Sequence, residues 1–210
     1  SIIRDLVALV ADRNTEAALA GILGQPQKLN IRPVTWEIFV HPERDPGCFR
    51  RSPEFLSAIR GQYNHALVMF DRYGCGHEVL DSMELENDVE SRLRRSGWGN
   101  CAAAVCLDPE LECWIWSDSP HVERVLGWKA TKRELRSWLT LKGLWEPGSL
   151  KPSQPKKAME AVLRYVRKPR SSVIYQQLAE NVSFRRCSDR AFIRLIKVLR
   201  NWFSVEERRE

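Results

Sequence analysis

Four short apolar runs, separated by more polar stretches, dominate the first half of the chain. They occupy residues 6–11, 31–40, 65–70 and 102–107. Runs of this length, bounded by polar residues and rich in β-branched or small apolar side chains, are typical of strands covered on both faces. Because helix-like segments alternate with these runs, the pattern predicts an α/β fold with about four mainly parallel strands flanked by helices.

The segments between the runs predict the helices and loops of this α/β unit. Residues 16–23, closed by Gly24, and residues 85–96 have helical spacing. Residues 41–48 contain two prolines and predict a loop after the second strand. A helix of about ten residues is then expected to begin at Ser52, with a proline in its first position.

The second half of the chain predicts helices only. A stretch rich in Pro, Gly and Lys at 146–155 interrupts them and predicts a hinge or linker. The chain is thus expected to contain an α/β domain over 1–118, with a helical, basic region over 119–210 packed on it. The predicted helices lie at 109–117, 122–126, 132–141, 156–167 and along an apolar stripe from Phe192 to Phe203.

Acidic residues follow each predicted strand. Because parallel strands end at one edge of a sheet, these carboxylates are expected to converge on a single crevice. Several carboxylate oxygens at one edge suit Mg²⁺ or Mn²⁺. The alternative is that they are turn residues and helix caps, positions that Asp favours. The acids concerned are Asp12, Glu43, Asp45, Asp71 and those between Asp108 and Glu112.

The net charge of +6 conceals two opposite halves. Residues 1–118 carry 12 Lys and Arg against 18 Asp and Glu, whereas residues 119–210 carry 21 against 9. A basic segment of this size predicts a polyanionic partner, most often nucleic acid. The alternative is a set of solvated helix faces. The candidate nucleic-acid-binding residues are Lys157 and Arg164 on one predicted helix and Arg190, Arg194, Lys197 and Arg200 on the last one.

The six cysteines form no CxxC pair, and their spacing matches no zinc site or disulfide scaffold. The sequence shows no signal peptide and no long apolar stretch, so it predicts a cytoplasmic protein that does not enter a membrane. Eight tryptophans are many for a core of this size, and any exposed ones would mark an interface.

The chain contains three short motifs: Thr15-Glu16 after the first strand, Asp71 with Gly74 close behind, and residues 109–114 followed by Ser117-Asp118. Together they resemble the Toprim-like proteins of bacterial defence systems, both RloB-type and abortive-infection proteins, and imply a Toprim-like fold for residues 1–118. Residues 40–48 and 71–76 are similar to the small Toprim-like component of a methylation-associated phage-defence system. Residues 174–187 resemble, more weakly, the C-terminal helices of that group.

This resemblance implies metal-dependent phosphodiester hydrolysis on DNA or RNA in anti-phage defence. It assigns the metal ion, Mg²⁺ or Mn²⁺, to Asp71, Glu110 and Glu112. Asp12 or Glu16 would act as the acid or base. Arg72, in the loop after the third strand, would offset phosphate charge, as Arg13 and Arg44 also could.

The chain departs from the family pattern at two positions. Ala11 stands where these enzymes usually carry a Glu, and Tyr73 replaces the second acid of the Asp-x-Asp motif. Losing two acids weakens metal binding, so the alternative is a catalytically degenerate subunit that binds nucleic acid or a partner protein of the defence complex. Expected partners are therefore nucleic acid and other defence proteins, with a homodimer left open.

Overall fold

A computed structural model describes residues 2–117, 119–129, 133–181 and 183–205. Its centre is a four-stranded, entirely parallel sheet in the order β2-β1-β3-β4. The predicted α/β class, with helices flanking a parallel sheet, is confirmed. The strands are β1 (Arg4–Val10), β2 (Trp36–Val40), β3 (Tyr63–Asp71) and β4 (Ala102–Leu107). The helices are α1 (Arg13–Leu23), α2 (Pro26–Leu29), α3 (Arg44–Ser57), α4 (Ser82–Leu93), α5 (Pro120–Leu126), α6 (Leu135–Leu141), α7 (Pro155–Val166), α8 (Ser172–Asn181) and α9 (Arg190–Phe203).

Strand residues alternate between two apolar layers. In β1, Leu6, Ala8 and Val10 face the layer that contains α1, whereas Val7 and Leu9 face the layer that contains α3 and α4. Alternate side chains of a strand point to opposite faces, so a sheet covered on both sides needs apolar residues at consecutive positions. This is why the strands appear in the sequence as unbroken apolar runs.

The helices from α5 to α9 join the layer on the α1 face and share its hydrophobic core. Helices α1 and α8 approach each other closely at Gly21. A Cβ atom added at Gly21 would lie 2.9 Å from the carbonyl oxygen of Gln176, so only glycine lets the two helices pack this tightly. The helical region after residue 119 is thus packed on the sheet. In the described part of the chain, each helix is too short or too polar to span a bilayer.

Two boundaries around β2 differ from the prediction. The strand begins at Trp36 rather than residue 31, and Ile31 makes only an isolated bridge with Ser204. The stretch expected to be a loop is the start of α3, which begins at Arg44. Pro46 is tolerated there because backbone N–H groups in the first turn of a helix have no partner within it.

Pro53 lies inside α3 rather than at the start of a helix. Proline lacks the N–H that would bond the carbonyl four residues earlier, that of Phe49. The Arg92 guanidinium takes over this role, since it donates to the carbonyl oxygens of Phe49 and, at 2.8 Å, Arg50. A cation from α4 thereby satisfies the acceptor that the proline leaves open.

The prediction of a helix over residues 109–117 is also wrong. Glu110 has an extended backbone, with φ at −161°, and only a 3₁₀ turn from Leu111 to Trp114 follows. The helix expected from residue 132 begins at Leu135, and residues 130–132 lie outside the described residues, as does Asp118 of the family motif. The helix predicted over 156–167 is confirmed as α7.

Candidate metal centre

The candidate site lies where the strand order reverses direction. The chain leaves β1 for β2 on one side and later returns to place β3 on the other side of β1. In parallel α/β sheets, ligands bind in the crevice at such a switch point, beyond the carboxyl ends of the strands. Asp12 follows β1, and Asp71 is the last residue of β3. Both acids therefore lie at the position that this fold favours for binding.

Three carboxylates meet at this crevice. One oxygen from each of Asp71, Glu110 and Glu112 lies within 4.8 Å of the other two. The backbone N–H of Leu111 donates to Oδ1 of Asp71 at 2.9 Å, which ties the turn after β4 to the end of β3. Because Glu110 and Glu112 flank Leu111, this single bond helps to bring them to Asp71. The three residues predicted as metal ligands are thus found together.

Asp45 and Asp12 complete a cluster of five acids with these three, and we call it the acidic cluster. Asp45, in the first turn of α3, accepts a hydrogen bond of 2.7 Å from the backbone N–H of Asp71. Asp12 is the N-cap of α1, accepting from the backbone N–H of Thr15 at 2.8 Å and its hydroxyl at 3.0 Å. The cap interpretation is therefore correct for Asp12, but its charge still acts on Asp71.

Burial and mutual repulsion disfavour the charged form of these acids. The pKa of Asp71 is raised well above its usual value by desolvation and then by Asp45, Glu112, Asp12 and Glu110. Desolvation raises the pKa of Asp45 to about 6, against the hydrogen bond from Asp71. The pKa of Glu110 is raised by burial and by Glu112. A bound divalent cation would relieve this repulsion and displace the protons.

Glu112 is the most strongly bonded member of the acidic cluster. It is buried, and its Oε1 accepts from the Tyr175 hydroxyl at 2.6 Å and from Arg170 Nη2 at 2.8 Å. Arg170 also donates to the Tyr175 oxygen at 2.9 Å and to Glu160 at 3.3 Å. Burial and the nearby Glu112 charge raise the pKa of Tyr175, so its hydroxyl remains a donor. These contacts fix the orientation of the Glu112 carboxylate.

The donor set fits a hard divalent ion such as Mg²⁺ or Mn²⁺. The three convergent ligands are carboxylates, which these ions prefer. The Cys48 thiol interacts electrostatically with the acidic cluster, but burial and then Asp45, Asp12 and Asp71 raise its pKa well above the usual value. A thiol held protonated in this way is a poor ligand for zinc, because the metal binds the thiolate.

A cleft of about 450 Å³ adjoins the acidic cluster at the ends of β1 and β2. Asp12 belongs to its wall, and so do four cationic side chains: Arg13, Arg44, Lys156 and Arg170. The backbone N–H of Lys156, in the first turn of α7, donates to Glu110 at 3.2 Å. Cations next to a carboxylate cluster give a site that can hold a metal ion and an anionic group side by side.

Two residues predicted for catalysis lie outside the acidic cluster. The Arg72 guanidinium donates to the carbonyl oxygens of Glu78 at 2.7 Å and Leu80 at 2.9 Å, and its ion pair with Asp108 measures 3.5 Å. It therefore holds the loop that leaves β3. Glu16 is half-buried in the first turn of α1, outside the set of acids that raise the pKa of Asp71.

The basic residues of α9 are largely engaged within the protein. Arg190 pairs with Glu86 at 2.6 Å, and Arg194 pairs with Glu86 and Glu90. Arg200 donates to the carbonyl oxygen of Leu29 at 2.7 Å. The other three predicted nucleic-acid-binding residues have exposed side chains, and they are Lys157, Arg164 and Lys197.

Sequence reasoning missed three residues of this site as functional candidates. Asp45 was among the acids expected at this edge, but the stretch around it was predicted to be a loop rather than the start of α3. Lys156, Arg170 and Tyr175 follow no strand, so their sequence context gave no signal of proximity. They reach the acidic cluster through the packing of α7 and α8 on the sheet.

Comparison with known proteins adds no relative. No family model, curated protein or solved structure matches this chain. The resemblance to Toprim-like defence proteins therefore stays a prediction that rests on its short motifs. The acidic cluster and its cleft are the features of the molecule that indicate a function.

Proposed function

We propose that this protein binds Mg²⁺ or Mn²⁺ through Asp71, Glu110 and Glu112 and hydrolyses phosphodiester bonds in DNA or RNA. The observation that carries the proposal is the acidic cluster at the switch point, with a cation-lined cleft beside it. Buried carboxylates that repel one another cost stability, and a site that retains them is a functional candidate. The adjoining cations add the means to hold a phosphate.

Each part of the cleft has a chemical task in this proposal. Arg13, Arg44, Lys156 and Arg170 bind the phosphate of the substrate and offset its charge. Asp45, which accepts a hydrogen bond from the backbone of Asp71, serves as the general base and accepts a proton from the attacking water. A bound divalent ion supplies Lewis-acid stabilisation of charge on the phosphoryl oxygens.

Cleavage of labelled single-stranded and duplex DNA and RNA, with and without Mn²⁺, tests this proposal. Asp71→Asn keeps the shape of the side chain but removes its charge, so cleavage is expected to fall by at least about 100-fold. The matched control is Glu54→Gln, which neutralises an exposed acid of α3 and is expected to leave cleavage unchanged. Metal-independent cleavage, or equal activity of Asp71→Asn and wild type, contradicts the proposal.

A second candidate is a catalytically degenerate subunit that binds nucleic acid or a partner protein. The observation that favours it is that Glu112 already forms an ion pair with Arg170 and accepts from the Tyr175 hydroxyl, which reduces the negative charge available to a cation. From the family resemblance we propose that either activity serves anti-phage defence. Plaque assays on cells carrying the Asp71→Asn and Glu112→Gln double variant separate the two: lost protection supports catalysis, and wild-type protection supports the binding role.

A further inference from the structure

Three aromatic rings form a compact group at the opposite end of α7 from the acidic cluster. Trp128 follows the end of α5, Trp138 lies in α6, and Tyr165 lies in the last turn of α7. The ring centroids of Trp138 and Tyr165 are 4.9 Å apart. The ring centroid of Trp128 lies 5.2 Å from that of Trp138 and 5.3 Å from that of Tyr165. Each of three separate helical segments thus contributes one ring to a single aromatic pocket.

The aromatic pocket is open to solvent. It encloses about 430 Å³, which is within the range of small-ligand sites. Trp128 is only 8% exposed, and its Nε1 donates to the carbonyl oxygen of Arg133 at 3.1 Å, so this ring is fixed in the floor. Tyr165 is 62% exposed although it lies in a helix with a buried apolar face. A large ring left this accessible beside two others offers a surface for stacking.

The charge around the aromatic pocket favours an anion. Lys129 and Arg133 belong to its wall, and no acidic residue is among the described residues that line it. The Lys142 ammonium lies 5.8 Å from the centroid of the Trp138 ring. These cations disfavour a cationic ligand, such as the ammonium groups that aromatic cages bind. They favour a ligand that combines a flat aromatic group with negative charge.

Such a ligand is a nucleotide unit with an unpaired base. We propose that the aromatic pocket binds single-stranded nucleic acid by stacking one base against Tyr165 and Trp138, while Lys129 and Arg133 contact the flanking phosphates. Every base has a π-face, so a stacking site of this kind tolerates sequence. Bases in a duplex are stacked on one another and cannot enter. The inference does not depend on the metal centre, and it predicts a preference for unpaired strands.

Fluorescence anisotropy with a labelled oligonucleotide of about 12 nucleotides, as single-stranded DNA, single-stranded RNA and blunt duplex, tests the inference. The full chain is used in EDTA, so that metal binding and cleavage do not contribute. We expect tighter binding of the single strands than of the duplex. Tyr165→Ala is expected to weaken single-strand binding by about 5- to 150-fold, because the ring on which one base stacks is removed.

Two variants control for indirect effects. Tyr165→Phe retains the ring and is expected to bind like wild type, and Leu150→Ala removes another exposed apolar side chain and is also expected to bind like wild type. Replacing both Lys129 and Arg133 by Ala should flatten the salt dependence of single-strand binding by about 0.7 log units for each phosphate that is no longer neutralised.

Three outcomes would overturn the inference: equal affinity for single strand and duplex, unchanged single-strand binding by Tyr165→Ala, or binding of a proline-rich peptide in place of the oligonucleotide. The last would assign the aromatic pocket to a protein partner, because aromatic grooves also bind polyproline helices. None of these outcomes bears on the metal centre, whose tests require Mn²⁺ and Asp71.

Discussion

Two groups of buried carboxylates in this protein are built in opposite ways. On α4, Glu86 is fully buried, and it accepts from the backbone N–H of Cys106 at 3.0 Å and from Arg190 and Arg194. In the acidic cluster, the charges closest to Asp71 are other carboxylates. Burial raises the pKa of both Glu86 and Asp71. The nearby arginines act against this rise at Glu86, whereas the nearby acids raise the pKa of Asp71 further.

This difference distinguishes a structural acid from a candidate ligand. A buried carboxylate whose charge is matched by protein cations connects α4 to α9 and needs no other partner. A carboxylate whose neighbours are other carboxylates destabilises the fold until a cation binds. Desolvation raises the pKa of both Glu86 and Asp71, and the neighbouring charges separate the two carboxylates.

The largest effect on stability is expected from breaking the paired group. Arg194→Met removes the cation that contacts both Glu86 and Glu90 and leaves buried negative charge less compensated. We expect the free energy of unfolding, measured with urea, to fall by about 3 kcal/mol. Lys197→Met, on an exposed position of the same helix, is the control and should change it by less than about 0.5 kcal/mol. Equal losses in the two variants would show that the ion pairs contribute little.

Removing a negative charge from the acidic cluster should instead increase the free energy of unfolding. Because burial and the neighbouring acids disfavour a charge on Asp71, Asp71→Asn is expected to raise the free energy of unfolding in EDTA at neutral pH. Adding Mn²⁺ should stabilise wild type but not this variant, since ligand that binds the folded state raises its stability. A destabilised Asp71→Asn protein, or equal stabilisation of both by Mn²⁺, would place the ion elsewhere.

The pH dependence of stability provides a smaller test. The pKa of Asp45 is raised in the fold to about 6, so its contribution is fully present below its unfolded pKa and is lost as pH rises through about 6. Between about pH 5 and pH 7 in EDTA, wild type should therefore lose about 1 kcal/mol more than Asp45→Asn. Parallel pH profiles for the two proteins would show that Asp45 is not perturbed in this way.

The smallest effect concerns the cations that are not paired with acids. Lys157 and Lys197 are exposed, unlike the arginines of α9 that pair with α4. If they contact phosphates, the Lys157→Ala and Lys197→Ala double variant should flatten the salt dependence of duplex binding by up to about 1.8 log units. Its stability should stay within about 0.5 kcal/mol of wild type. An unchanged slope would mean that these lysines are only solvated.

The sequence was sufficient to predict which acidic residues lie close together because they follow neighbouring parallel strands. Asp71, Glu110 and Glu112 could be grouped because parallel strands must end at one edge, and the apolar runs marked the strands. The contacts of Arg170 and Tyr175 with Glu112 depend instead on how α8 packs against α1, which involves the close approach at Gly21. No periodic pattern encodes such tertiary packing.

The same limit applies to the basic face of α9. Arg190, Arg194, Lys197 and Arg200 have the spacing of a solvated or nucleic-acid-binding surface, and helical periodicity alone gives them equal weight. Which of them meets Glu86 or Glu90 depends on the position of α4, about 100 residues earlier in the chain. Local sequence therefore predicts the face of a helix more reliably than the partner of that face.

The contacts of Glu112 also fix the order in which the candidate site is built during translation. Its two partners, Arg170 and Tyr175, are encoded 58 and 63 residues downstream. At about 5 to 20 residues per second, a ribosome needs about 3 to 13 s to add them. Throughout that interval the nascent chain carries Glu112 without the cation and the hydroxyl that orient it. The orientation of this carboxylate can be set only once α8 has been synthesised and has docked.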